Sequence, residues 1–499
     1  MNKDPDANGV RSKTSDRALE VERHGIDYIP SSERHGKLYS LLTLWIASNV
    51  QITTVATGAL AVVLGLNLTW AILAIVIGNL AGGIYMATHS IQGPRLGVPQ
   101  MIQSRAQFGM YGAGVPLVIV VVMYLGFFVA SGVLGGEAIH SLIHVTNTEG
   151  IVIASAVVLA GTWVGYNLIH AYNRVMSVLS LGVFIAALVE VISHLPAHLP
   201  AATSVNYGTV LLVISISVSW QLTWAPYVSD YSRYLPESTP ARRTFWYTYV
   251  GSALGASFVM IVGALAAFVS YSQVSSNAPN FLAGLFPSAK WLFLLIFVLG
   301  VFSVNVENIY GAFLTFFAGI SPSGKSSQGV WGRLIATTGL AAVGTIVAIY
   351  ATSHFLTDLT DFILFLLYFL IPWTAINLTD YYLLHHERYD VGQFFRVDGR
   401  WGKVNWTALT IFFVTIGVEI PFMNSSVYVG PASNAMDGAD VAWIIGFVFA
   451  ATAYYVTSRL GKHGRDVEAE LAEIEASGTM ELPPRETDAG ETGPERMPA

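Results

Sequence analysis

The chain has no cysteine among its 499 residues. That excludes disulfides, iron–sulfur clusters and thiol nucleophiles, and it leaves the redox compartment unspecified. Charge is scarce as well. Asp, Glu, Lys and Arg make up 11% of the residues, against about 25% in ordinary soluble domains. So little charge cannot cover a water-facing surface, which excludes a soluble globular fold. There is no Walker loop, no nucleophile elbow and no zinc-type His/Glu spacing. These absences argue against an enzyme and against an ATP-driven pump. No cofactor is expected. The net charge of −7 arises largely in the tails, so nucleic acid is not an expected partner. The first 36 residues are polar and lack the charged-then-apolar pattern of a signal peptide.

What is present is apolar sequence, with 53% of residues hydrophobic. A helix crossing a bilayer needs about 20 mainly apolar residues. Twelve segments qualify: 39–64, 68–91, 115–143, 150–170, 174–194, 207–228, 244–271, 288–319, 331–351, 359–384, 404–424 and 440–459. With the N-terminus inside, every one of the 25 Lys and Arg residues except Lys290 falls on the cytoplasmic side. A wrong span count would scramble that sorting, so both termini are expected in the cytoplasm of a multi-pass cell (inner) membrane protein. The expected layout is a weakly ordered tail over 1–36, a transport core over 37–384 and a cytoplasmic loop over 385–403. Spans eleven and twelve follow over 404–460, then a disordered tail over 461–499, although its DVEAELAEIEA stretch has a helical pattern.

Two spans carry interruptions in corresponding places. The first contains WIASNVQITT (45–54), with Ser48, Asn49, Gln51, Thr53 and Thr54 crowded among apolar residues. The sixth contains WQLTWAPYVSDYSRYLP (220–236), where Pro226 removes a backbone donor just after Trp220, Gln221, Thr223 and Trp224. Broken helices five spans apart suggest an inverted repeat of five plus five, with substrate bound where the breaks meet. The alternative is helix packing by hydroxyls and a simple proline kink.

The eighth span poses a sharper question. At 100° per residue, Gly300, Ser303, Val304, Glu307 and Gly311 fall on one stripe, with Asn308 flanking it and Asn305 nearly opposite. A carboxylate at the centre of a span costs about 2.5–3.5 kcal/mol on insertion scales. Three roles compete for Glu307: accepting hydrogen bonds from substrate N–H groups, carrying a coupling proton, or pairing with another helix through Asn or Tyr. Glu190 and Glu419 are expected to be structural. Asp230, Asp380 and the pair His385–His386 are expected to be solvated at the cytoplasmic side.

GPRLGVPQMIQSRAQFG (93–109), APYVSDYSRYLP (225–236) and INLTDYYLL (376–384) resemble the nucleobase:cation symporter-1 family, in particular its purine–cytosine permease branch. WIASNVQITT and the GF…GGE pattern at 126–137 fit the same branch. The resemblance implies an all-α LeuT-type fold of twelve transmembrane helices, with helices one and six discontinuous. It also implies secondary active uptake of a small heterocycle by cation symport, with no oligomer required. Carried over position by position, the span-three aromatic falls at Phe127 and the polar residue one turn later at Ser131. The span-six aromatic falls at Trp224, with Trp220 and Gln221 nearby. The span-eight amide falls at Asn308, preceded by Glu307, and the polar stretch of span one falls on Asn49 and Gln51. Sodium-coupled members place neighbouring hydroxyls on span eight, whereas Ser303 here sits beside Val304. That favours a proton as coupling ion, through Ser303 and Glu307, with sodium as the alternative. The expected function is import of a cytosine- or purine-type nucleobase. Allantoin, a hydantoin or a pyrimidine vitamin precursor is the alternative within the class, and a membrane sensor or channel is the alternative outside it.

Overall fold

The computed structural model describes residues 27–164, 166–197, 205–320 and 330–477. The outer parts of both expected tails and Lys325 lie outside the described residues. Each of the twelve expected segments carries helix. In order these are Leu38–Asn49 with Ile52–Val63, Leu68–Ser90, Gly114–Ile143, Asn147–Val164, Tyr166–Ser193, and Tyr207–Leu222 with Val228–Ser232. Then come Ala241–Val269, Lys290–Ile320, Val330–Ala351, Phe355–Thr379, Trp406–Glu419 and Ala442–Leu460. We refer to them as the first to twelfth helices. Among the described residues, eight helical stretches, or nine with one bent pair, are long and apolar enough to cross a membrane. By that measure the ninth and tenth merge into one stretch, and the fourth and eleventh fall short.

The packing carries the repeat. The first helix packs on the seventh and fifth, the second on the sixth, the third on the fourth and ninth, and the fifth on the eighth. Shifting every number by five gives sixth on second and tenth, seventh on first, eighth on ninth and fourth, and tenth on third, and all these contacts are present too. Helices one, two, six and seven thus form one body, and three, four, eight and nine a second. Glycines let the first body close up. A Cβ on Gly58 would lie 2.0 Å from the Met260 carbonyl oxygen, and one on Gly263 would lie 1.9 Å from that of Val55. The first and seventh helices therefore touch backbone to backbone, the close approach that small residues permit in a membrane. Trp331 and Trp406 are exposed near the arginine-rich end, and Trp291 and Tyr350 near the other, as expected of interfacial aromatics.

The first helix breaks at Val50 and Gln51, and its halves meet at a bend of 62°. The polar side chains at the break are its caps. Asn49 Nδ2 donates to the Trp45 carbonyl at 2.8 Å, and Gln51 Nε2 to that of Ser48 at 3.0 Å. The sixth helix is interrupted more gently. Its α-helix ends at Leu222, a 3-10 turn covers Ala225–Tyr227, and Val228–Ser232 resumes, without a bend that separates the halves.

The three sequence motifs converge on the arginine-rich face. Gln100 receives a hydrogen bond from Ser229 at 2.5 Å and donates its backbone N–H to Asp230 at 2.9 Å. Gln92 donates to Asn377, and Gln107 to Asp380, both at 2.8 Å. Asp380 is buried, not solvated at a helix end as expected. It also accepts from Tyr389 at 2.7 Å and from Tyr454 of the twelfth helix at 3.0 Å. At the other end of the same helix pair, Tyr368 of the tenth donates to Asp440 at 2.5 Å, just before the twelfth begins.

Two expectations about the tails are corrected. Near the N-terminus Arg34 is buried and donates to the carbonyls of Ile29 and Pro94, both at 2.8 Å. After the twelfth helix, Lys462–Ser477 is helical, with Val467, Glu470 and Ile474 buried. His385, expected in solvent, is fully buried between Asp380 at 3.2 Å and Glu470 at 3.6 Å, and stacks on Tyr389 at 4.1 Å; His386 is exposed. Glu470 also accepts from the backbone N–H of Asp390 at 2.8 Å. A carboxylate on the terminal helix thus finds a cation beneath it, which the sequence pattern alone does not reveal.

Burial disfavours the His385 imidazolium, but Asp380 and Glu470 outweigh it and raise its pKa from the ordinary 6.5 to about 9. A raised folded pKa stabilises docking fully below the unfolded value and loses that contribution as pH rises through about 9. Limited proteolysis at 462–477 should therefore accelerate between neutral pH and pH above 9, and His385→Gln should flatten the dependence. For the bundle, Gly58→Leu should melt well below wild type or lose monodisperse protein in detergent. Gly339→Leu, with open space around the new Cβ, should match wild type; equal behaviour of the two would disprove the backbone contact.

Candidate functional site

At the level of the two interruptions the aromatic residues gather. Trp224 meets Trp45 at 5.7 Å, Trp220 at 6.3 Å and Tyr227 at 5.8 Å, each edge to face. Tyr227 lies 5.3 Å from Tyr124 of the third helix. Phe127, also on the third helix, meets Trp220 at 5.6 Å and Phe362 at 5.3 Å. The ring facing Phe127 across the interface between the two helical bodies is thus Trp220. Trp224 remains half-buried, and its indole N–H has no partner. Ser131, one turn beyond Phe127, is buried with a hydroxyl that also has none. Buried polar groups are ordinarily hydrogen-bonded, so these two, with the likewise unpartnered Trp45 indole and the Thr53 and Thr54 hydroxyls at the first-helix break, are groups for which a ligand or water would supply partners.

The polar residues divide into two sets. Asn49 and Gln221 are fully buried, and their amides are committed to the protein. Asn49 accepts from Trp220 Nε1 at 2.7 Å and donates to Trp45 and, at 3.3 Å, to Ser252. Gln221 donates to Asn79 at 2.9 Å and to the Ser252 carbonyl at 3.2 Å, and accepts from the Ser252 hydroxyl at 2.6 Å. Both were expected to touch substrate. The structure uses them instead to join helices one, two, six and seven, because a buried amide must satisfy donor and acceptor alike. Gln51 is half-buried at the break, with its N–H spent on Ser48.

On the eighth helix, Asn305 donates to the Phe128 carbonyl at 3.1 Å and accepts from Asn308 at 3.1 Å. That orients the Asn308 amide with its N–H toward Asn305. Glu307 is half-buried and accepts a hydrogen bond from Asn173, two turns into the fifth helix, while Ser303 donates to the Asn173 side-chain amide oxygen. Of the small-residue stripe, Ser303 and Glu307 therefore meet the fifth helix, and Gly311 lies against the Tyr124 ring. Asn173 was missed in the sequence because it sits beside Arg174 at the mouth of a span, where solvation is the ordinary reading. Glu307 also lies within electrostatic reach of the Tyr227 hydroxyl. The half-buried carboxylate thus stands between the fifth helix and the sixth-helix interruption. Such an arrangement suits a planar heterocycle, whose faces meet aromatic rings and whose edge meets acceptors and amides.

Among the described residues no group of three or more His, Cys, Asp or Glu side chains could hold a metal ion. Glu190 is half-buried beside His194 at 3.9 Å. Glu419 is fully buried, with neither carboxylate oxygen hydrogen-bonded.

Comparison with known proteins fits this geometry. Residues 28–446 match the family described as permeases for cytosine/purines, uracil, thiamine and allantoin. A putative purine-cytosine permease of Bacillus subtilis, YxlA, is 42% identical over 439 residues, which cover 88% of this chain and 96% of that protein. The purine-cytosine permease fcyB of Emericella nidulans is 27% identical, over 87% of this chain and 88% of its own length. Among solved structures, Mhp1, a nucleobase-cation-symport-1 family transporter in a closed conformation with bromovinylhydantoin bound, superposes with a TM-score of 0.69 at 17% identity. The match covers 88% of this chain and 98% of Mhp1, which establishes a shared LeuT-type fold. The chain is a membrane permease and not an enzyme, and it belongs to the cytosine/purine, uracil, thiamine and allantoin permease family.

Proposed function

We propose that this protein imports a nucleobase of the cytosine or purine type by proton symport, across the cell (inner) membrane with both termini cytoplasmic. The observation that carries the reading is Glu307, half-buried between Asn173 and the Tyr227 hydroxyl of the sixth-helix interruption. A carboxylate acceptor favours a ligand with adjacent N–H donors, such as cytosine or an aminopurine. An analogue lacking those donors would leave the carboxylate unsatisfied, and that supplies discrimination. The purine-cytosine permeases among the relatives, at 42% and 27% identity, support the same class. Phe127, Ser131, Trp224, Glu307 and Asn308 are the proposed ligand contacts, with Gln51 at the rim. Asn49 and Gln221 support them from behind.

Energy comes from an ion gradient. One charge moved across about 100 mV supplies roughly 2.3 kcal/mol, enough for accumulation on the order of tens-fold. The Ser303 hydroxyl is engaged with Asn173, and no second hydroxyl stands beside it. A proton fits this better than sodium. Allantoin, a hydantoin or a pyrimidine vitamin precursor with sodium is the competing reading, and it gains some support from a vitamin B6 transporter of Saccharomyces cerevisiae, 26% identical over 51% of this chain. Uptake against a concentration gradient separates either reading from a channel or sensor.

Binding of a heterocycle panel, followed by tryptophan fluorescence at two pH values with and without sodium, tests the proposal. Cytosine or an aminopurine should quench, independently of sodium. Binding of allantoin or a hydantoin alone, or a sodium requirement, would overturn it. Trp224→Ala should raise the half-saturation concentration about tenfold or more, the loss expected for an aromatic stacking contact; unchanged affinity removes Trp224 from the site. Glu307→Gln should insert normally yet lower uptake at least about tenfold, as loss of a hydrogen bond to a charged group costs. Wild-type uptake by that variant would make Glu307 a purely structural partner of Asn173.

A further inference from the structure

The described carboxylates inside the protein are mostly satisfied. Glu307 has Asn173, Asp380 has Gln107, Tyr389 and Tyr454, and Asp440 has Tyr368 and two backbone N–H groups. Glu137 is different. It lies on the third helix, six residues past Ser131, hence about 9 Å further along the axis and away from the arginine-rich face. Its side chain is 7% exposed, and Oε2 is enclosed without a hydrogen-bond partner. The third helix contributes His140 and His144 nearby, the fourth Glu149, the eighth Lys290, the tenth Asp358 and Asp361, and the segment Tyr271–Gly284 only Tyr271. No hydrogen bond or ion pair joins any of them to the Glu137 carboxylate. An isolated buried charge of this kind is costly unless a partner or a proton meets it.

The main chain at Glu137 is also bonded to two residues that line a cavity. Its carbonyl accepts from Ser141 Oγ at 2.9 Å and from Asn277 Nδ2 at 3.4 Å. Ser141 and Asn277, with His140 and Lys290, line a polar cavity of about 450 Å³ that is open toward the face opposite the arginines. The cavity lining thus begins at Ser141, one helical turn beyond Glu137.

We propose that Glu137 is the proton carrier of the transport cycle, loaded through this cavity. The proposal rests on the proton-symport reading above and assigns its residue. A proton from external water adds to the carboxylate and gives the neutral acid. After the two helical bodies rearrange, the same proton leaves to internal water and the carboxylate is restored. One proton crosses with each substrate, and no other bond is made or broken. Glu419 is more deeply buried, with both oxygens unpartnered, but it belongs to the eleventh helix, outside the repeat, so it cannot follow the rearrangement.

The test uses full-length protein in liposomes, radiolabelled cytosine and a pH-sensitive dye. In wild type, an inward proton gradient should drive accumulation, and cytosine should bring protons with it. Glu137→Gln keeps the size and neutrality of the protonated acid. It should lose gradient-driven accumulation at least about tenfold, while cytosine counterflow, which needs no net proton movement, stays within about twofold of wild type. Glu419→Gln should accumulate like wild type. Wild type that moves cytosine without protons sinks the symport reading itself. A coupled wild type together with a coupled Glu137→Gln sinks only the assignment, as does loss of counterflow in the folded variant or equal uncoupling by Glu419→Gln. If Glu137→Gln does not fold, Glu137→Asp replaces it; a displaced pH profile of uptake supports the assignment, and an unchanged one overturns it.

Discussion

Hydrocarbon offers no hydrogen bonds, so every backbone N–H and C=O inside the bilayer must find a partner in the protein. This architecture follows from that constraint. A helix satisfies it alone. A broken helix satisfies it only if side chains take over where the ladder stops, and Asn49 and Gln51 do so by bonding Trp45 and Ser48. Polar residues crowd the first span because the break needs them. The proposed ligand contacts, among them the Trp224 indole and Glu307, lie on other helices.

The apolar stretches and the one-sided distribution of Lys and Arg made the fold legible, since both report directly on the bilayer. The repeat was legible because two interruptions stood five spans apart. The site was legible only in outline. Of the proposed contacts, Phe127 meets Trp220 across the interface between the two helical bodies, whereas Asn49 and Gln221 turned out to face their neighbours in the first body. Sequence spacing gives the face of a helix but not the helix opposite that face. Ser252 and Asn79, which claim those two amides, come from the seventh and second helices and carry no local signal. His385 and Asp380 misled for the same reason: each looks like a solvated helix end until Glu470 and Tyr454 arrive from far along the chain.

The motifs that gave the family away are not the ones that build the site. The stretches 93–109, 225–236 and 376–384 meet in one hydrogen-bonded network on the arginine-rich face, through Gln100, Gln107, Ser229, Asp230, Asn377 and Asp380, with Gln92 just before the first stretch. Each of these side chains answers a partner in another motif, so a change in one must be matched elsewhere. Residues that touch a ligand answer to its chemistry, and that chemistry varies across a family whose description spans purines, thiamine and allantoin. A family can therefore be read from its arginine-rich face while its cargo remains open.

Tyrosine and aspartate cross over between the tenth and twelfth helices. Tyr368 of the tenth reaches Asp440, and Tyr454 of the twelfth reaches Asp380. The two attachment points on the tenth helix are twelve residues apart, about 18 Å at 1.5 Å per residue. A rod held at one point can pivot; a rod held at two cannot tilt without breaking one of them. The tenth helix is thus braced like a post, and its neighbours in the repeat have a fixed edge to swing against. The two helices beyond the repeat then have a mechanical task, which is to hold still the member that the repeat alone would leave free.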